Sequence, residues 1–99
     1  MRYSKLGHSG LVVSKLAFGT MTLGAAWAGP LAAFDSKDSD ALVGQALDAG
    51  INFFDTADIY HKGESEILLG KALGGRRNEA VIATKVGMRT GPTLADAGL

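Results

Sequence analysis

Apolar positions along this chain fall into runs whose spacing changes from segment to segment. Residues 11–14, LVVS, alternate partially behind a polar turn flanked by Gly7 and Gly10, which predicts a short β-hairpin at the start. Residues 15–21, KLAFGTM, form a compact apolar run ending at Gly19-Thr20 and read as a buried strand. Residues 22–34 are rich in small side chains around Gly29-Pro30 and read as a loop. Over residues 36–50 the period lengthens to that of a helix. Leu42, Val43, Ala46 and Leu47 share one side, Asp and Ser crowd the start as caps and dipole partners, and Gly50 suits the position just past the end. Residues 51–55, INFFD, form a second strand, apolar enough to be buried on both faces. A second helix is predicted over residues 65–74. Ser65 is its N-cap, Ile67, Leu68, Leu69, Ala72 and Leu73 make its apolar side, and Gly74 stops it. A polar approach then leads into a third strand over residues 80–86, and the tail reads as loop with a helix start near its end.

Hairpin, strand, helix, strand, helix, strand is the order of βαβ units around a parallel sheet, each unit taking about 30 residues. A closed eightfold barrel needs roughly 250 residues. A chain of 99 residues would supply its first three strands, and a small open α/β sheet is the other option. Because the chain stops at ADAGL without a finished element, it is expected to be a fragment, marginally folded or self-associating when isolated.

Composition narrows the partners. Hydrophobic residues make up 46% and charged residues 20%, a globular balance. Ten basic residues match ten acidic ones, so the clustered positive charge that nucleic acids and anionic membranes reward is missing. With no cysteine, disulfides, thiolate catalysis and cysteine-held metals are excluded, which fits a reducing compartment. The opening MRYSKLGHSG lacks the form of a secretory signal. Residues 16–34 carry no charge over 19 positions, but glycines, a proline and threonines interrupt them, and they read as strand and loop rather than a membrane span. A soluble, cytoplasmic protein is expected.

Motifs of nucleotide binding are missing. No two glycines stand two apart, which excludes G-x-G-x-x-G, and no glycine precedes a Lys-Ser or Lys-Thr pair. His8 and His61 are the two histidines, and nothing has metal-ligand spacing. The chemistry narrows to Asp, Tyr, Lys and backbone. In parallel α/β architectures the active site is built at the C-terminal strand ends. Asp55 closes the second strand, Tyr60 follows on its loop, and Lys85 lies near the end of the third. Neighbouring strands run ~4.8 Å apart, so Asp55 and Lys85 can meet at the rim. Alternation puts Ile51, Phe53 and Asp55 on one face and Val81, Ala83 and Lys85 on one face. If both faces point inward, carboxylate and ammonium meet in apolar surroundings, which demands pairing. A free phenol, with a pKa of ~10, is a poor proton donor at neutral pH, and an adjacent ammonium favours its phenolate. A tyrosine placed beside Lys85 is therefore a plausible general acid for a carbonyl oxygen. Each residue also has a plainer use: Asp55 as a loop cap, Tyr60 as rim cover, Lys85 as a solvated strand end, Gly19-Thr20 as an ordinary turn. His61 reads as a solvated loop residue, His8 as hairpin surface, and Trp27 as loop packing or a pocket wall.

At these residues the sequence resembles the aldo-keto reductase family over nearly its whole length. YSKLGHSGLVVSKLAFGTMTLG resembles that family's opening hairpin and first barrel strand, DAGINFFDTADIYHKGESEILLGKAL its first signature, and AVIATKVG its third strand. The resemblance implies a partial (β/α)8 TIM barrel, with residues 1–99 as the N-terminal portion of an oxidoreductase domain. It also implies reduction of small aldehydes and ketones by NADPH, without a Rossmann fold. Tyr60 matches the family's proton donor, Lys85 the lysine that tunes it, and Asp55 the aspartate that pairs with the lysine. Gly19, Thr20 and Met21, together with Asp55, match the positions where nicotinamide and its ribose lie. His61 does not match the family's catalytic histidine, which sits at the end of a fourth strand beyond this chain. The loops after strands seven and eight that grip the adenosine 2′-phosphate are absent too, so the 99 residues alone are expected to be inactive, a truncated product without function of its own. Some relatives of the fold are regulatory subunits of potassium channels, and the opening hairpin resembles that branch too.

Overall fold

The computed structural model describes residues 1–24 and 36–99. The hairpin is present as β1 (Tyr3–Lys5) and β2 (Val12–Ser14), antiparallel with Tyr3 opposite Ser14 and Lys5 opposite Val12. A separate parallel sheet runs β3 (Ala17–Gly19), β4 (Phe53–Asp55), β5 (Val81–Ala83), with β4 in the middle. Helix α1 (Ser36–Asp48) follows β3, and α2 (Glu64–Leu73) lies between β4 and β5. The strands are shorter than the apolar runs, because the chain leaves the ladder early at both ends. Before β3, the Lys15 amide is spent on the Arg2 carbonyl of the hairpin at 2.8 Å. After it, Leu23 turns back onto the Thr20 carbonyl at 2.9 Å. The expected helix start in the tail is a single 3-10 turn over Leu94–Asp96.

One face of the parallel sheet holds the core. Phe18, Phe54 and Ile82 sit side by side across the three strands, with the Phe18 and Phe54 rings 5.6 Å apart. The helices cover them with Val43, Ala46 and Leu47 of α1 and Leu68, Leu69 and Leu73 of α2, and Phe54 is fully buried. The other face presents Phe53, Asp55, Val81 and Ala83, all partly exposed. Burial on both faces of β4, expected from INFFD, is therefore met on one face. Ile67 is a further correction. It is 70% exposed, because the buried stripe of α2 runs through Ser65, Leu68, Leu69 and Leu73, and Ile67 falls outside that 3.6-residue rhythm.

Two local devices aim β4 at the rim. Past α1, the Gly50 amide bonds the Leu47 carbonyl and the Ile51 amide bonds the Ala46 carbonyl, both at 2.9 Å, a Schellman closure that needs Gly50 at φ +95. Asn52 then stitches the hairpin to the sheet. Its Oδ1 accepts from the Ser14 amide at 2.7 Å and its Nδ2 donates to the Val12 carbonyl at 3.0 Å. The start of α2 also differs from expectation. Gly63, at φ +93, is the N-cap residue and makes no side-chain cap, while Ser65 lies inside the helix, buried, and donates its hydroxyl to the Leu23 carbonyl. Of the remaining sequence expectations, Trp27 and most of the loop over residues 22–34 lie outside the described residues.

A candidate active site at the strand ends

The register of the parallel sheet puts Gly19, Asp55 and Ala83 in one row across the C-terminal ends of β3, β4 and β5. Beyond that row the backbones stay joined. Thr56 donates to the Ala83 carbonyl at 2.8 Å, and Asp58 to the Lys85 carbonyl at 3.2 Å. These bonds carry Lys85 up beside Asp55. Its Nζ lies 3.0 Å and 3.1 Å from the two carboxylate oxygens, 2.7 Å from the Thr56 carbonyl, and 3.4 Å from the Tyr60 hydroxyl. An ammonium has three protons, and carboxylate, carbonyl and phenol between them use all three directions. The same Nζ stands 5.1 Å from the centre of the Tyr60 ring, within cation–π range. Asp55, Tyr60 and Lys85 are thus brought together as the spacing suggested.

Hydrogen bonding to Asp55 raises the Lys85 pKa, partial desolvation opposes it, and the Tyr60 hydroxyl adds to the rise. The lysine is therefore a fixed cation across the neutral range. The surroundings are wetter than an inward-facing pair would have. The Lys85 and Asp55 side chains are 52% and 43% exposed at the ends of the strands.

Of the strand-one candidates, Gly19 and Met21 are exposed at the rim, and no atom lies within 4 Å of where a Gly19 side chain would begin. Thr20 is fully buried, and both its amide and its hydroxyl donate to the Asp55 carbonyl, at 2.9 Å and 3.1 Å. It braces β3 against β4 from inside. Beside Tyr60 and Lys85 opens a cavity of about 260 Å³, walled by Ala57, Ile59, Val86 and Met88. His61, expected as a solvated loop residue, is instead 3% exposed, with its Nε2 2.8 Å from the Met21 carbonyl. Its partner is 40 residues away in the chain, and no local pattern announces the contact.

The parallel sheet thus carries an Asp–Lys–Tyr cluster at its carboxyl ends, and the comparisons give the family. The model of the aldo/keto reductase family matches residues 15–97, and the chain belongs to that family. An aldo-keto reductase from Bacillus halodurans, solved in its holo form, superposes with a TM-score of 0.77 at 43% identity, over 90% of this chain and 27% of its own. Pyridoxal 4-dehydrogenase of Microbacterium luteolum is 42% identical over 97 residues, 93% of this chain and 27% of the relative. A probable voltage-gated potassium channel subunit beta from Oryza sativa subsp. japonica is 42% identical over 89 residues, 87% of this chain and 25% of the relative. The chain spans about a quarter of the length of these curated relatives. Among the described residues, no helix is long and apolar enough to cross a membrane.

Proposed function

We propose that the strand-end cluster is the acid–base centre of an NADPH-dependent reductase that converts aldehydes and ketones to alcohols. The observation that carries this reading is the Lys85 ammonium held between the Asp55 carboxylate and the Tyr60 hydroxyl. The Tyr60 hydroxyl gives its proton to the carbonyl oxygen, and the phenolate left behind is stabilised by Lys85 and reprotonated from the open rim. Asp55 keeps Lys85 charged and oriented. The apolar wall of Ala57, Ile59, Val86 and Met88 receives the body of a small carbonyl substrate.

The residues present suit a nicotinamide and its ribose. Gly19 leaves the end of β3 open, Met21 is exposed, and the half-exposed Asp55 carboxylate has room to accept a ribose hydroxyl while it pairs with Lys85. Thr20 would support that site by bracing rather than through its hydroxyl, which is already committed. When bound, the reduced nicotinamide supplies the hydride for the carbonyl carbon. NADPH as the reductant, a cytoplasmic location, and the absence of nucleic-acid or membrane partners belong to the same reading.

The test is Tyr60→Phe. General acids contribute about 10²–10⁴-fold, so in a complete barrel that carries these strands NADPH-dependent reduction of an aromatic aldehyde should fall by that factor while NADPH binding is kept. Wild-type turnover in Tyr60→Phe sinks the assignment. The similarity to a potassium channel beta subunit favours a second reading, in which the cofactor site regulates a channel partner. Cofactor binding without aldehyde turnover in the wild type, together with capture of a channel subunit, would select it.

A further inference from the structure

The turn that aims Tyr60 contains a side chain that the proposed chemistry does not use. His61 follows the phenol directly, with its ring buried and its backbone at φ +49; Lys62 continues at φ +57 and Gly63 at φ +93. Left-handed backbone is unfavourable at residues with a Cβ, and persists where the surroundings hold it. The holding contacts are specific. Nε2 of His61 lies 2.8 Å from the Met21 carbonyl, and the Ser65 hydroxyl donates to the Leu23 carbonyl one step further on. Gly24, at φ +131, makes way for the ring: a Cβ there would stand 2.8 Å from both Cβ and Cγ of His61. At its other end the same segment is tied through Thr20 to the Asp55 carbonyl. Residues 20–24 are therefore fastened at one end to the strand that carries Asp55 and at the other to the turn that carries Tyr60.

We infer that His61 is a positioning residue: its Nε2–H, donated to the Met21 carbonyl, clamps the segment after β3 to the left-handed turn and so sets the Tyr60 phenol over Lys85. A buried ring that merely filled space would be replaceable by phenylalanine. A clamp needs the N–H, which glutamine can supply at similar reach. The catalytic consequence rests on the proposed acid role of Tyr60, whereas the clamp is a statement about geometry.

The experiment is NMR on the purified protein. In the wild type, the His61 ring should be the Nε2–H tautomer, and the Tyr60 ring should show a nuclear Overhauser contact to the Lys85 ε-methylene. His61→Phe should lose that contact, while Tyr3, the other tyrosine, keeps its contact with Gly50 as proof that the rest is folded. His61→Gln should restore the Tyr60–Lys85 contact. In turnover, a misplaced acid lowers kcat, on the order of 10²-fold for a shift of about 1 Å, with His61→Gln again recovering. A Tyr60–Lys85 contact that survives in His61→Phe, or an Nδ1–H tautomer in the wild type, overturns the inference and leaves the acid–base centre standing. Loss of the contact already in the wild type overturns both. Should His61→Phe fail to fold, the wild-type tautomer decides.

Discussion

Two glycines in and beside the first helix should respond to the same substitution with opposite signs. Gly44 sits within α1, and nothing lies within 4 Å of where its Cβ would be built. Gly44→Ala removes the entropic penalty of a helical glycine and should stabilise by roughly 0.5–1 kcal/mol. Gly50 has φ +95, and a Cβ there would stand 2.8 Å from the Tyr3 hydroxyl and 3.0 Å from the Met1 Cβ. Left-handed backbone costs an alanine roughly 1–2 kcal/mol. The displaced Tyr3 side chain also loses its 2.7 Å bond to the Gly50 carbonyl, a further loss of about 1 kcal/mol. Gly50→Ala should therefore destabilise by roughly 2–3 kcal/mol. Urea unfolding followed by circular dichroism reads both. With a slope of about 1–3 kcal/mol/M, the midpoint for Gly50→Ala should fall by about 1 M or more and that for Gly44→Ala should rise by a few tenths. The same turn delivers the chain into β4, so Gly50→Ala should also loosen the contact between Asp55 and Lys85. Equal midpoints for the two variants, or a more stable Gly50→Ala, would refute the argument.

Phe54→Ala empties the centre of the core, and losses of about 3–5 kcal/mol are typical of such truncations, so the described fold should melt at much lower urea or not form at 25 °C. The Asp55 bond raises the folded pKa of Lys85 above its ordinary 10.5, so the stabilisation it brings is complete below pH 10.5 and is lost as pH climbs through the elevated value. Stability of the wild type should accordingly decline above pH 10.5 more steeply than that of Lys85→Met, and parallel profiles would deny the linkage. The half-exposed sheet face of Phe53, Val81 and Ala83, with β3 and β5 as unpaired edges among the described residues, should drive self-association of the isolated 99-residue chain. Sedimentation velocity at micromolar concentration checks this, and a monomer with a cooperative melt would contradict it.

The order of strands and helices was legible in the sequence because it rests on local periodicity. Val43, Ala46 and Leu47 bury the side of α1 that their spacing selects, and Gly50 closes the helix where a left-handed residue was needed. Asp55 and Lys85 were legible as neighbours for the same reason, since alternation along two adjacent strands places both at one rim. Other features depend on which segments come to lie together. Ser65 has the composition of a cap, yet packing beneath Leu23 gives its hydroxyl a different acceptor. His61 has the look of a solvated residue in a polar loop, and the Met21 carbonyl, brought to it by the turn after β3, makes it a buried donor. Hydrophobic rhythm and helix caps are properties of a few consecutive residues, so the sequence by itself determined the elements and the rim at which the cluster forms. A polar group's partner across 40 residues is decided by how loops pack over a sheet, and the tertiary structure alone assigned it.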